Sequence, residues 1–324
     1  MTTPATAPIH PRHVVLLGAT GTIGQATLQA LRGRGHDVTC FLRAGRAVPD
    51  GQALSVDLSD PLALDRAFAL RPVDAVVSCM ASRSGAAADA WAVDHAAHMA
   101  VLAAAQRAGV GHFVLLSAIC VQKPLLEFQK AKLAFEAALT ASPLRWSIVR
   151  PTAFFKSLSG QIARVQAGKP FLLFGDGALT ACKPISDRDL GDYIAGCLTD
   201  PDRWNRILPV GGPGPALTPR AQGQMLFDLL GQPARFKSVP VAMMDAIIGG
   251  LSVAGLVSRK ARAKAELARI GRYYATESML VWDAQAGRYD ADATPEYGSD
   301  TLRDHYARVL AGEVTVDLGD HAVF

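Results

Sequence analysis

Cysteine is scarce, and what there is stands apart. Cys40, Cys79, Cys120, Cys182 and Cys197 form no CxxC pair, and none clusters with histidine. A structural zinc or a cysteine-held iron–sulfur centre is therefore not expected, whereas reduced thiols in a cytosol-like compartment are. Long apolar runs are missing too. No stretch of about 20 uncharged apolar residues exists, so no spanning helix is expected. A basic stripe with interleaved aromatics is also absent: 19% of residues are charged and the net charge is +4. That balance favours anionic ligands slightly and gives no nucleic-acid footprint. There is no internal repeat and no low-complexity block. Met1 to Arg12 is rich in Thr, Pro and Ala, lacks the apolar core of a secretory signal, and reads as a flexible tail.

What the chain has in quantity is apolar surface to bury. Hydrophobic residues make up 50% of its 324, enough for one large domain, or a domain with a smaller lobe. Its organising stretch is HVVLLGATGTIG, His13 to Gly24. An apolar strand ends at Gly18, Gly21 and Gly24 follow at spacings of three, and a helical stretch comes next. Strand, glycine turn and helix form the context of a dinucleotide site. Gly18 allows the sharp turn, Gly21 a close approach to a pyrophosphate, and Gly24 close helix packing. Thr20, Thr22 and Ile23 complete the loop and helix start, where free N–H groups and the positive dipole end favour phosphate.

Beyond this unit, strands and helices alternate. Strands are expected at Asp37 to Arg43, Ala53 to Asp57, Val73 to Cys79, His112 to Ser117 and Arg145 to Arg150. Between them lie a helix capped by Ser59 or Asp60, a long Ala-rich helix over Ala86 to Ala108, and a helix over Leu125 to Thr140. Continuous apolar strands separated by helices predict an α/β fold with a doubly wound parallel sheet, of Rossmann type. The nucleotide domain is placed at 13–150 and a smaller C-terminal substrate lobe at 151–324. A helix and strand around Asp189 to Pro209 are candidates to return to the main sheet. Asp187 is the expected cap of that helix, with a part in shaping the cofactor cleft as the alternative.

Where an NAD-binding fold carries an acid, at the end of the second strand, this chain has Arg43, with Arg46 close behind. A guanidinium suits the 2′-phosphate of NADPH. Asp57 is placed either to accept from the adenine amino group or to begin a turn. Ser117 ends the fifth strand, and Phe128 and Lys132 follow on one helical face. This pattern resembles the extended, atypical branch of the short-chain dehydrogenases, which use Ser, Tyr and Lys, with Phe128 where the tyrosine stands. Phenylalanine cannot protonate an alkoxide. Reduction of an alkene conjugated to a large ring needs no such acid. Lys132 would then hold the nicotinamide ribose.

Longer blocks narrow the resemblance. LSAICVQKPLLEFQKAKLAFEAAL (Leu116 to Leu139), RPTAFFKSLSGQ (Arg150 to Gln161), GKPFLLFGDG (Gly168 to Gly177), ACKPISDRDL (Ala181 to Leu190), YYATESMLVWD (Tyr273 to Asp283) and TPEYGSDTLRDHY (Thr294 to Tyr306) resemble the NADPH-dependent divinyl chlorophyllide 8-vinyl reductases. The resemblance implies reduction of the 8-vinyl group of divinyl chlorophyllide, or divinyl protochlorophyllide, to ethyl in chlorophyll or bacteriochlorophyll synthesis. It also implies Lys132, then Tyr273 or Tyr274, as candidate proton donors. A flat pigment needs a broad apolar slot, for which Phe154, Phe155 and Tyr274 are the chosen lining, with Phe171, Phe174, Tyr273 and Trp282 as further candidates. The short leader fits a bacterial, cytoplasmic version. Two other readings stay open: a reductase of another conjugated alkene, like the isoflavone-reductase type, and a non-catalytic NADP sensor.

Other features have plainer readings. His95 and His98 read as packing or surface residues rather than metal ligands. Cys79 and Cys120 read as small packing groups near the cleft. Met243 to Val257 is apolar, and Arg259, Lys260, Arg262 and Lys264 follow. This reads either as a lid helix with a solvated basic end or as weak peripheral contact with an anionic membrane face.

Overall fold

The computed structural model describes residues 12–48, 52–83 and 86–316. The expected N-terminal tail therefore lies, Arg12 aside, outside the described residues. Six strands follow in chain order: β1 (His13–Leu17), β2 (Asp37–Leu42), β3 (Gln52–Ser55), β4 (Ala75–Ser78), β5 (His112–Leu116) and β6 (Arg145–Pro151). A seventh strand of the same sheet, β8 (Arg206–Val210), follows β7 (Phe171–Phe174), which lies elsewhere. The sheet order is β3-β2-β1-β4-β5-β6-β8, and every neighbouring pair is parallel. The order reverses direction beside β1, the crevice where such folds take their ligands.

Strand periodicity explains why both faces are apolar. Val14, Leu16, Val77, Val114 and Val149 point to one core, and Val15, Leu17, Val76, Phe113 and Ile148 to the other. The first face is covered by α1 (Thr22–Gly33). On the second lie α2 (Pro61–Ala69), the segment running α3 (Ala87–Ala90), Trp91–Ala97 and α4 (His98–Arg107), and α5 (Glu127–Thr140). Asp60 caps α2, accepting from Leu62 N at 2.9 Å with Pro61 in the first turn, as expected. The Ala-rich helix holds a surprise: Trp91–Ala97 is wound as a π-helix.

After β6 come the short α6 (Phe155–Leu158) and α7 (Ile162–Gln166), then α8 (Asp187–Gly196). β8 joins the main sheet beside β6, and α8 packs on α1. Gly191 makes that crossing close: a Cβ there would lie 2.6 Å from Ala26 C and 2.8 Å from Thr27 N. The cap of α8 is Ser186, not Asp187; its hydroxyl accepts from Asp189 N at 3.0 Å.

The remaining elements form the outer lobe. β7 pairs with β9 (Phe236–Val239), and β10 (Val281–Asp283) with β11 (Arg288–Asp290). With α9 (Pro219–Leu229) and α12 (Leu302–Leu310), β7 and β9 enclose a third core around Phe155, Phe171, Phe227 and Tyr306, whereas Val281 of β10 packs on the cluster of Phe128 and Tyr273. Helices α10 (Val241–Ala254) and α11 (Arg259–Thr276) form a hairpin. No helix among the described residues is long and apolar enough to cross a membrane.

His112, at the start of β5, predicts how the fold responds to acid. Its Nε2 lies 3.0 Å from Ser147 Oγ, whose own proton goes to Arg203 O, so Nε2 is the donor. Nδ1 is buried without a partner among the described residues. Burial, then the Arg145 and Arg12 charges, lowers the imidazole pKa to about 3. The unfolded chain takes up this proton below about pH 6.5, whereas the folded chain refuses it down to about pH 3. Stability is thus fully present above pH 6.5 and falls by about 1.4 kcal/mol per pH unit below it. Urea unfolding of His112→Gln between pH 6.5 and 4.5 should show a slope smaller by about one proton.

Candidate functional site

A cleft of about 1970 Å³ runs along the carboxyl ends of β1 to β4. That exceeds the roughly 300–1,000 Å³ of a typical small-molecule pocket, leaving room beside one ligand for a second. Gly18, Thr20, Gly21, Thr22, Ile23 and Gly24 line it, with Arg43, Arg46 and Asp57. Gly18 has φ +77°, and a Cβ there would lie 2.6 Å from Cys79 C. At Gly24 a Cβ would lie 2.0 Å from Gly18 O. Turn and helix start are thus packed so tightly that only glycine fits. Gly21 differs: its nearest neighbour would be Gly18 O at 3.5 Å, so the missing Cβ leaves space for a ligand.

The first turn of α1 has no side-chain cap and no acidic residue. Its free N–H groups and dipole end therefore face the cleft unneutralised, as a phosphate site requires. Arg43 and Arg46 are exposed on the rim beyond β2. Asp57 lines the cleft and also makes a turn, accepting from Ser59 N at 2.9 Å and Ser59 Oγ at 2.6 Å. A cation not singled out in the sequence completes this region. Lys156, just after β6, lines the cleft with Nζ 3.3 Å from Thr22 Oγ1. Its signal was a lysine directly behind the Phe154–Phe155 pair.

The Ser117, Phe128 and Lys132 set is arranged differently from the family pattern. None of the three lines the cleft. Ser117 is buried, and its hydroxyl donates to Glu136 at 2.5 Å. Glu136 also holds Arg150 through both carboxylate oxygens, with Arg150 Nε 3.2 Å from Oε1. This network fastens β6 to α5. Phe128 is buried with Cys120 and Tyr273. Lys132 Nζ lies 2.9 Å from the Oδ1 of Asp94, a residue only 1% exposed. Asp94 sits in the π-helical turn and also accepts from Ser82 Oγ at 2.6 Å. Ser82 is on the cleft wall, so Lys132 stands one residue behind that wall. Single π turns are frequent at functional sites. Next to them, His98 Nδ1 donates to Val93 O at 2.8 Å, which leaves Nε2 to accept from Ser78 Oγ. Burial, then the Lys132 charge, lowers its pKa and keeps it neutral.

The aromatic candidates separate as well. Phe154 lines the cleft, but its neighbour Phe155 is 2% exposed in the outer lobe's core, against His305. Phe155 is therefore a packing residue, correcting the expected slot. Phe171 is likewise core. Tyr273 is buried and its hydroxyl bonds to Cys120 O at 2.9 Å; burial raises its pKa, so it is a poor proton donor. Tyr274 stacks edge-on against Tyr273 and is 43% exposed, away from the dinucleotide cleft. Trp282 packs against Tyr289 with Lys123 above it. Cys79 lines the cleft, where burial raises its pKa to about 12, so it stays a neutral thiol. Cys120 does not reach the cleft. Asp187 and Asp189 both line it, and Asp189 accepts from Ser299 N at 2.9 Å and Asp300 N at 2.8 Å. Among the described residues no group of His, Cys, Asp or Glu is placed to hold a metal ion.

An NAD(P)H-binding family model matches residues 18–201. The NADPH-dependent quinone oxidoreductase QOR2 of Escherichia coli, solved with NADPH, has a TM-score of 0.67 at 17% identity. That likeness covers 92% of this chain and 99% of that one, and it shows the fold. The divinyl chlorophyllide a 8-vinyl-reductase of Zea mays is 47% identical over 331 residues, covering 96% of this chain and 82% of that protein. The protein of the same name in Arabidopsis thaliana is 44% identical over 333 residues, covering 95% of this chain and 79% of that protein; both are described as chloroplastic. The chain belongs to the divinyl chlorophyllide a 8-vinyl-reductase family, on an NAD(P)H-binding fold.

Proposed function

We propose that the protein reduces the 8-vinyl group of divinyl chlorophyllide, or divinyl protochlorophyllide, to ethyl with NADPH. The observation that carries this is similarity along almost the whole chain, outer lobe included, to reductases named for that reaction. Reduced nicotinamide, when bound, supplies the hydride; a proton must come from elsewhere. The residues fit such a cofactor: the Gly18–Gly24 turn and α1 for the pyrophosphate, Lys156 beside them, and Arg43 with Arg46 for a 2′-phosphate. Phe154 offers an apolar face in the cleft. Lys132 is the first candidate to hold the ribose and furnish the proton; its Nζ, fixed by Asp94 behind the wall, must swing past Ser82 into the cleft to do so. Phe128 needs no hydroxyl, because the macrocycle spreads the developing charge.

Incubating the pure protein with NADPH and divinyl chlorophyllide should yield the monovinyl product, seen by chromatography and a blue-shifted Soret band. NADP(H) binding without pigment-dependent oxidation would point to a sensor, and turnover confined to phenolic alkenes to a different reductase. Arg43→Ala should weaken NADPH binding by about 10- to 100-fold, the weight of a charge-assisted hydrogen bond, and leave NADH binding nearly unchanged. Titration of both nucleotides by fluorescence checks this; equal losses would remove Arg43 from 2′-phosphate recognition.

A further inference from the structure

We propose that the α10–α11 hairpin is a docking surface for a bilayer carrying anionic headgroups. No residue of α10 is buried, although the helix is almost wholly apolar. Its inner stripe, Met244, Ile248 and Leu251, is partly covered, but a second stripe at helical spacing faces outward: Met243, Ile247, Gly250, Ala254 and Val257. At the tip Leu256 is 78% and Val257 94% exposed. The one acid of α10, Asp245, is held by Arg272, so the apolar face carries no free negative charge. Directly beyond the tip, Lys260, Arg262 and Lys264 are exposed on α11.

Apolar tip and basic collar together select the occupant. A second copy of this chain would bring collar against collar, like charge facing like. An anionic headgroup layer over hydrocarbon complements both features at once. The 14 residues of α10 span about 21 Å, short of the roughly 30 Å hydrocarbon core, so the hairpin rests in the interface. Helix α11 then runs back from the tip to Tyr273, whose hydroxyl meets Cys120 in the body of the protein. The proposal does not depend on the reaction assigned above.

The test is co-sedimentation of the full chain with phosphatidylcholine vesicles, with and without phosphatidylglycerol, across salt concentrations. Binding is expected only to the anionic vesicles and is expected to fade as salt rises. Leu256→Glu with Val257→Glu, and separately Lys260→Glu with Lys264→Glu, should each lower bound protein about tenfold or more at unchanged melting temperature. Val257→Trp should shift its emission to the blue on anionic vesicles. No binding at low salt, or equal binding to neutral vesicles, overturns the proposal. So does a dimer, seen by analytical ultracentrifugation, that the tip variants dissociate while vesicle binding persists.

Discussion

Glu136→Ala is expected to cost about 3–5 kcal/mol of folding stability, the usual consequence of stripping one partner from a buried ion pair. Glu136 is 3% exposed and the Arg150 side chain 15%. Without the carboxylate the guanidinium is left buried and uncompensated, and the Ser117 hydroxyl loses its acceptor. Glu136→Gln should cost less, since an amide oxygen still accepts from Ser117. The double variant Glu136→Ala, Arg150→Ala should cost clearly less than the sum of the two single changes, because no lone charge remains. Urea unfolding of the four proteins measures the coupling, and additive losses would mean the pair is not one unit. The functional stake is position: Arg150 is the next-to-last residue of β6, which ends at Pro151 and leads to Phe154 on the cleft.

The second large effect concerns Lys132. Lys132→Ala should lower single-turnover reduction at saturating NADPH by about 10²- to 10⁴-fold, the range for a general acid, with the cofactor site still formed. Near-normal turnover would remove Lys132 from the reaction. Partial recovery with a small added amine would identify the ammonium itself, rather than packing, as what was lost. Asp94→Asn separates positioning from chemistry. The amide keeps an acceptor for Ser82 but loses the charge that fixes Nζ, so turnover should fall while NADPH binding changes little. A loss of binding equal to the loss of turnover would make Asp94 a general support of the cleft wall.

Much of the fold was legible because local signals agreed with the tertiary answer. Continuous apolar strands separated by helices announced a sheet covered on both faces, and Asp60 with Pro61 announced the start of α2. The glycine turn was readable because each glycine has its own steric reason. The site was less legible, because its decisive contacts join residues far apart in sequence. Lys132 meets Asp94 across 38 positions, and nothing local marks the π turn that carries the acid. Ser117 sits where the dehydrogenase pattern puts it, yet Glu136, one helical turn past Lys132, captures its hydroxyl. Phe154 and Phe155 are neighbours of equal hydrophobicity. Only the bend into α6 sends one to the cleft and the other to the core.

The seventh strand has a bearing on biosynthesis. Since β8 is translated long after β6, and α8 closes on Ala26 and Thr27 through Gly191, the ribosome must release residues beyond 210 before the nucleotide half can finish folding. A gene cut after Pro151 would encode a fragment with the outer edge of β6 bare and one flank of α1 uncovered, prone to sticking edge to edge rather than standing alone as a cofactor-binding module.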